Sequence, residues 1–550
     1  MRSRIWLAAL PLMMTPLAAQ ATAADFTACD GYSAPKKKSD GITKGTWLWG
    51  LASANADFRR GTVIVGARGI AACDAALVDP LLVDAFWVRR AHLLQSKALH
   101  QMSGNAFKEA LTTLDQSDAI GAAHADPQFN NSIKLANLAL RAIAYYRLDR
   151  KEDARAALKA VTEARPWSVS LRQMTTAIRT TYEGDYETQK AVLHEQARID
   201  PRKLHVLFWL AMSRGEFEEA VADAHALSFD IPRSRREWST ESAEVRAYAL
   251  IRERASVAGA TAYALAATGK VEASAREYQR GLDEIEDATQ PPPPDARGRP
   301  PGKQAMRDYD LRKASGLEAR SALQDWGRAI ALRRQASGMT VAELLEFKDR
   351  PTGEALMVAA DFFAQVKASD FKQADTLNQV IDMLRKRQEE FRQKALTISF
   401  NQLVKQLPRP ETAQMVPKMQ REGGNILRSN LNGWAVRKAD DPALVNVRFG
   451  DAVGSSALVE EAAFLAAANH VASLGKDGFI IEASQLIVRT MHVSGMYIGN
   501  YSTPSGYELR LLLRPVDTAA PATDLESSRW RIVKVRDVQA ALNGKFPTGY

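Results

Sequence analysis

The chain of 550 residues contains few residues whose type and spacing suit metal binding. Its eight histidines are His92, His100, His124, His194, His205, His225, His470 and His492. No two of them form a His-x-x-x-His pair with an adjacent glutamate, and His92 and His100 stand too far apart on one helix to share an ion. The two cysteines, Cys29 and Cys73, form no Cys-x-x-Cys pair. We therefore expect no metal site.

The usual catalytic motifs are also absent. The sequence contains no Gly-x-Ser-x-Gly nucleophile turn, no phosphate-binding loop and no dinucleotide-binding fingerprint. The acidic pairs Glu218-Glu219 and Glu460-Glu461 are adjacent on helical patterns, so their carboxylates point in different directions and cannot share a substrate. We expect no enzymatic activity and no cofactor. An active site without a recognisable motif in the C-terminal region stays open as an alternative.

The N-terminus has the pattern of an export signal. Arg2 and Arg4 precede an apolar run over 5–17, and small residues at Ala21 and Ala23 suit a cleavage site near Ala23. The pattern predicts a periplasmic protein without a transmembrane segment, because no apolar run reaches about 18 residues. Two alternatives are a buried first helix and a lipid-modified Cys29.

The charge balance does not point to nucleic acid. The formal net charge of +9 falls to +7 if Arg2 and Arg4 are removed with the signal, and the remaining basic residues are dispersed. Export would also separate the protein from nucleic acid, so we expect no such partner.

The two cysteines have a different expected role. In an oxidising compartment an isolated pair is typical of a disulfide, so we expect Cys29 and Cys73 to be bonded, with two free thiols as the alternative. The closed loop of about 45 residues would contribute about 4 kcal/mol in the chain-entropy model.

Residues 126–232 form the most informative stretch, because one helical-hairpin pattern occurs there three times. Each copy has two apolar helical stripes separated by a break, which lies at 149–151, Gly184 and Gly215 in turn. The prolines that close the copies, 35 and 31 residues apart, are Pro166, Pro201 and Pro232. A single helical pair cannot bury its apolar faces, so neighbouring pairs must stack on it.

Small residues at Ala142, Ala154 and Ala220 allow close packing of the two helices in a pair. With the prolines and the repeat length, this pattern resembles the tetratricopeptide repeat over about a third of the chain. Thr180 and Gln189 depart from it, since Tyr and Ala are usual at those positions. The resemblance implies a helical fold and a style of binding, and it implies no chemistry.

The resemblance further implies that the first helix of each pair lines a concave groove. Carried over residue by residue, the groove positions are Ala139, Ile143, Tyr146, Arg147, Met174, Ile178, Tyr182, His205, Trp209, Met212 and Tyr263. These side chains are mostly apolar or aromatic, which favours an apolar or amphipathic peptide segment held by aromatic anchors. The alternative is that the groove is filled by the chain itself, either by the N-terminal arm or by the Pro-rich loop.

The remaining patterns predict a mainly α fold, in which a helical-hairpin solenoid is followed by a smaller α+β domain. Another pair breaks at Gly269, and an earlier divergent pair covers 81–102 and 106–120. After Pro410 short strand patterns surround one strong helix over 456–474. The predicted segments are a signal peptide (1–23), an irregular arm (24–68), helical repeats (69–289), a Pro-rich loop (290–303), a further helical region (304–410) and the α+β domain (411–550).

Together these patterns predict a non-enzymatic periplasmic scaffold that binds another envelope protein through an apolar, aromatic groove. The first alternative is an envelope-assembly factor whose C-terminal domain binds a glycan, lipid or small ligand. The second is an enzyme of unrecognised type. The sequence names neither the partner nor the oligomeric state.

Overall fold

The structure is a computed structural model that describes most of the chain. The described residues are 22–42, 45–47, 52–54, 63, 65–229, 240–294, 297–336, 338–345, 358–425, 428–430, 432–439, 441–495, 499–519 and 526–548. The predicted signal peptide and the closing Pro232 therefore lie outside the described residues, apart from the last two positions of the signal. Among the helices that are described, none combines the length and the apolar character needed to cross a bilayer.

The protein is mainly helical and ends in a region with an antiparallel sheet, which confirms the predicted fold class. Its residues group into two compact units, one formed by 1–157 with 409–413 and the other by 158–408 with 414–550. The predicted segment boundaries remain predictions.

The first unit consists of helices and one short hairpin. Its elements are α1 (Ala23–Asp30), β1 (Gly45–Trp47), β2 (Ala52–Ala54), α2 (Ala67–Leu77), α3 (Trp87–Ser103), α4 (Phe107–His124), α5 (Pro127–Asn131) and α6 (Ile133–Arg147). Cys29 of α1 and Cys73 of α2 are joined by a disulfide, as expected. Both half-cystines are fully buried beside Phe26 and Leu93. The bond therefore attaches α1 to α2.

The helix predicted to begin at Leu81 begins instead at Trp87. Asp79 does cap a turn here, because its carboxylate accepts a hydrogen bond from the Leu81 backbone N–H at 2.7 Å. That turn leads into a short 3-10 segment, Asp84–Phe86, rather than directly into an α-helix. The Asp79-Pro80 pair therefore forms a turn and does not begin the α-helix.

The helical pairs of the repeat block lie where the sequence pattern placed them. They are α7 (Lys151–Ala164), which crosses the division between the units, α8 (Val169–Tyr182), α9 (Tyr186–Ala197), α10 (Arg202–Arg214), α11 (Phe217–Ala226), α12 (Thr240–Ala267) and α13 (Val271–Ala288). Ser168 and Asp185 cap α8 and α9 by accepting hydrogen bonds from N–H groups of the first turn. Gly215 and Gly269 have φ values of 76° and 79°, a left-handed conformation that ends a helix and that glycine adopts readily.

After α13 the proline-rich segment is neither helix nor strand in its described residues. The later helices are α14 (Lys303–Ala336), α15 (Val341–Leu345), α16 (Ala359–Phe363), α17 (Phe371–Leu396) and α18 (Phe400–Lys405). Leu377, Ile381 and Leu384 of α17 are buried, as their helical spacing indicates, whereas Phe391 is 51% exposed.

The C-terminal region contains one five-stranded antiparallel sheet of order β5-β6-β8-β7-β9. Its elements, with a preceding short hairpin, are β3 (Gly423–Asn425), β4 (Arg428–Asn430), β5 (Gly433–Lys438), β6 (Val445–Asp451), α19 (Ser456–Ser473), β7 (Gly478–Gly495), β8 (Gly499–Val516), β9 (Val533–Lys534) and α20 (Val535–Leu542). The strand predicted over 530–535 is mostly a 3-10 segment, Glu526–Arg531, followed by the two residues of β9.

Helix α19 joins the sheet to the repeat helices within the second unit. Thirteen of its 18 residues are buried, including the polar pair Glu460 and Glu461. Its apolar side chains share one core with sheet residues such as Phe449 and with Trp167 and Val169 at the start of α8. The α+β region therefore packs directly on the helices of that unit.

Candidate functional site

A cavity of about 390 Å³ lies among α8, α10 and α17 in the second unit. We call it the α10 groove. Its lining residues are Gln173, Thr176, Ala177, Thr180, Leu193, Lys203, His205, Val206, Trp209, Leu210, Ser213, Gln388, Phe391, Arg392, Ala395, Leu396, Ile398 and Gln406. The volume falls within the range of ligand pockets, roughly 300–1,000 Å³.

Helix α10 contributes one long wall. Lys203, Val206, Leu210 and Ser213 follow one another at spacings of three or four residues, so they lie on one helix face, which is the face towards the groove. The opposite face, with Leu204 among others, is buried in the core. The groove can therefore extend along most of the length of α10.

Helix α17 forms the facing wall and is fixed to the α8–α9 pair by hydrogen bonds. The Thr180 hydroxyl donates to the Leu396 carbonyl at 3.0 Å, and the Gln393 amide donates to the Gly184 carbonyl at 2.9 Å. The buried Arg392 guanidinium donates to the Gln189 side chain and pairs with Glu389. These contacts hold Phe391 at the groove even though half of its surface is exposed.

His205 and Trp209 form the polar and aromatic centre of the groove. The Trp209 indole N–H donates to His205 Nε2 at 2.9 Å, which requires a neutral imidazole with its proton on Nδ1. The same nitrogen lies 3.1 Å from a Glu253 carboxylate oxygen, to which it could donate only if it were protonated. Burial lowers the pKa of His205 and outweighs the opposing charge of Glu253. The neutral form with the Trp209 hydrogen bond is therefore favoured near neutral pH.

Of the groove positions predicted from the sequence, the structure brings His205 and Trp209 into the α10 groove. Ile143, Tyr146, Met174, Ile178, Met212 and Tyr263, like Ala139, are buried with at most 9% exposure. Tyr263 donates a hydrogen bond to Asp361 at 2.7 Å, and Met212 packs in the same core cluster. These buried side chains stabilise the fold and are not available on an open surface.

The other two predicted positions lie outside the groove as well. Arg147, in the first unit, is exposed and places its guanidinium 5.4 Å from the centre of the Phe107 ring. Tyr182 is partly buried at the end of α8 and does not line the cavity.

The difference between the predicted and the observed groove positions on α8 has a simple geometric cause. The prediction placed Met174 and Ile178 of α8 on the groove, whereas Gln173, Thr176 and Ala177 line it. One residue corresponds to a rotation of about 100° around a helix, so a register error of one position exchanges the buried face for the open one.

Sequence reasoning also missed α17 as a wall of the groove. Its charged stretch 385–394 alternates in sign, a pattern that predicts a solvated helix face, but Arg392 is only 8% exposed. Phe391 could have indicated this wall from the sequence, because it is a large apolar residue that continues the buried stripe of α17. Neither the N-terminal arm nor the Pro-rich loop lines the cavity within the described residues, so the alternative that one of them fills the groove gains no support.

A second cavity, of about 540 Å³, lies near α11, α12, α13 and the sheet. It is polar, but three of its four arginines, Arg280, Arg514 and Arg531, are paired with carboxylates such as Glu482. The fourth, Arg254, lies over the Phe229 ring. We therefore regard the α10 groove as the better candidate.

Among the described residues, one cluster has the composition of metal ligands: Cys29, Cys73 and His100, whose ligand atoms lie within 4.8 Å of one another. The disulfide consumes both thiolates, and His100 Nε2 is 2.7 Å from the Cys29 carbonyl. Burial lowers the pKa of His100, so its imidazole is neutral and can donate from Nε2 to that carbonyl. The cluster is explained by the disulfide and its packing.

The acidic pair Glu460-Glu461 is entirely buried, and each carboxylate has its own partners. Glu461 accepts two hydrogen bonds from the Arg165 guanidinium, at 2.9 and 2.8 Å, and lies 2.7 Å from the Lys545 ammonium. Burial acts to raise the pKa of Glu461, but these two cations outweigh it, and the pKa falls below its ordinary value.

Glu460 instead accepts hydrogen bonds of 2.9 Å from both the Ser168 and Ser170 hydroxyls and from the Ser170 N–H. Burial raises the pKa of Glu460 to about 7. The pair thus connects α19 to the start of α8.

No protein-family model matches this chain, and neither a curated protein nor a solved structure is significantly similar to it. The α10 groove therefore has to be interpreted from its own residues.

Proposed function

We propose that the protein is an exported, non-enzymatic adaptor that binds an apolar or amphipathic polypeptide segment of another envelope protein in the α10 groove. The observation that carries this proposal is the pair of aromatic side chains, Trp209 and Phe391, on facing walls of a cavity whose other lining residues are mostly aliphatic, amide or hydroxyl side chains, with Lys203, His205 and Arg392 as its basic groups.

A polypeptide suits this lining better than a purely apolar ligand. Aliphatic residues such as Val206 and Leu210 can receive apolar side chains, while Gln173, Thr176 and Gln388 lie beside them and carry hydrogen-bonding groups. A peptide segment offers both kinds of contact along its length. His205 is the one histidine in the lining, and its hydrogen bond to Trp209 gives it a role in positioning an anchor rather than in proton transfer.

The test uses selection of binding peptides from a random peptide library with the purified mature chain. We expect the selected peptides to carry large apolar residues, and we expect Phe391→Ala to weaken their binding about 30-fold, because loss of an aromatic anchor costs about 2 kcal/mol. Phe371→Ala is the matched control, since Phe371 lies on the same helix, is 89% exposed and does not line the groove.

Equal binding of the selected peptides to the wild-type chain and the Phe391→Ala variant, measured by isothermal titration calorimetry, would show that the groove is not the binding site. Export rests on the N-terminal sequence pattern and is tested separately, by locating the protein in periplasmic and cytoplasmic fractions and sequencing its mature N-terminus near Ala23.

The alternative of a ligand bound by the C-terminal region is favoured by the second cavity. Its lining includes Ile480, Glu482 and Arg514 from the sheet together with residues of α11–α13, and its polar character suits a glycan better than a lipid. Binding of envelope glycans that is lost on Arg514→Ala and kept on Phe391→Ala would support this function over the first.

A further inference from the structure

The α10 groove contains one cation whose charge is not neutralised. No carboxylate of the described residues lies within ion-pairing distance of the Lys203 ammonium, which lines the groove at the first turn of α10. The Asp200 carboxylate attracts the Lys203 ammonium from beyond ion-pairing distance. Both oxygens of that carboxylate accept hydrogen bonds from Arg202, at 2.7 and 3.0 Å. The N-terminal end of a helix also carries a partial positive charge, which adds to that of Lys203.

The other cation of the lining, Arg392, is paired with Glu389. His205 is neutral, because burial lowers its pKa and its Nε2 accepts the Trp209 hydrogen bond. Burial lowers the pKa of Lys203, because the charged ammonium loses hydration in this partly apolar site. A ligand that supplied a carboxylate would offset that loss.

A second unsatisfied group lies in the same lining. The side-chain oxygen of Gln406 is buried and has no hydrogen-bond partner in the described part of the chain. A buried acceptor without a partner costs about 1–3 kcal/mol, so a ligand with an N–H group would be favoured there. An anion together with an N–H donor is the combination that an acidic residue within a peptide offers.

Building on the proposed function, we propose that the segment bound in the α10 groove is acidic as well as apolar: an Asp or Glu side chain of the partner pairs with Lys203, and a large apolar side chain lies between Trp209 and Phe391. Six residues of helix separate Lys203 from Trp209, a rise of about 9 Å. Three residues of extended peptide span about 10 Å, so we expect the acidic and apolar residues to be about three positions apart.

The probes are synthetic peptides of about ten residues on an Ala-Ser background, acetylated and amidated so that no terminal charge remains. Each carries one Glu and one Phe at a defined separation, and a matched series carries Gln in place of Glu. Binding to the purified chain is measured by fluorescence anisotropy. We expect the tightest binding at a separation of about three residues and a roughly tenfold preference for Glu over Gln.

In the Lys203→Gln variant that preference should disappear while the Gln peptide binds as it does to the wild-type chain. The control is Lys405→Gln, which removes the same charge from an exposed position outside the groove lining and should keep the preference. Circular dichroism confirms that both variants fold.

The outcomes separate this inference from the function on which it rests. If the Glu and Gln peptides bind the wild-type chain equally, and Phe391→Ala weakens both, the groove binds peptides but the acidic specificity is wrong. If Phe391→Ala changes nothing, the groove itself is wrong. Binding that requires a free peptide C-terminus, or palmitate that binds where no end-blocked peptide does, would also overturn the proposed ligand.

Discussion

The buried pair Arg165–Glu461 is expected to contribute strongly to the stability of the second unit. Replacing Arg165 by Met keeps most of the side-chain volume but removes two charge-assisted hydrogen bonds to a carboxylate with no exposed surface. At about 1.5 kcal/mol each, their loss should lower the free energy of unfolding by about 3 kcal/mol. The remaining Lys545 contact, at 2.7 Å, keeps the cost towards the lower end of the range for a broken buried pair.

The assay is urea unfolding followed by far-ultraviolet circular dichroism. The matched control is Glu163→Gln, which breaks the exposed pair of Lys159 and Glu163, 3.7 Å apart on α7, and should cost less than about 0.5 kcal/mol. A double variant, Arg165→Met with Glu461→Leu, should recover much of the loss, because no uncompensated carboxylate is left buried and the Lys545 side chain is 21% exposed. If Arg165→Met costs no more than the control, the buried pair does not hold α19 in place and the reasoning fails.

Three further predictions concern protonation and cross-linking. Because burial raises the pKa of Glu460 from 4.5 to about 7, its ionisation opposes folding, and stability should fall by about 3 kcal/mol between about pH 4 and pH 8. Urea titrations of Glu460→Gln should lack that fall. Trp209→Phe removes the donor that favours neutral His205, so the His205 pKa measured by NMR should rise, and an unchanged pKa would contradict the hydrogen bond. Replacing Cys29 and Cys73 together by Ala should cost about 4 kcal/mol of unfolding free energy, and a loss below about 1 kcal/mol would contradict the chain-entropy argument.

Local sequence patterns were sufficient for most of the helices. The bounds of α8 and α9 follow from their apolar periodicity and their capping residues, and Gly215 ends α10 where its sequence pattern breaks. These signals act within a few residues of the chain, because hydrogen bonds and caps in a helix connect near neighbours. The cysteine pair was equally informative, since a chain with only Cys29 and Cys73 allows only one intramolecular disulfide.

The same patterns failed where an outcome depended on residues far away in the sequence. Glu461 meets Arg165 across 296 positions, and nothing near either residue indicates the other. The interpretation of 385–394 as solvated was wrong at Arg392 because α17 packs against the α8–α9 turn, more than 200 positions earlier. From sequence alone a charged residue is predicted to be solvated, because the sequence does not show which distant residue pairs with it in the fold.

The sequence by itself therefore determined that this is a mainly helical protein of paired helices with a C-terminal α+β region and one disulfide, because those features follow from local periodicity, turn residues and cysteine count. Only the tertiary structure decided which face of α8 and α10 is open, that α17 closes the facing side, and that no carboxylate of the described residues forms an ion pair with Lys203 in the groove. A shift of one residue turns a helix by about 100°, so periodicity locates a helix far better than it selects the face that remains accessible.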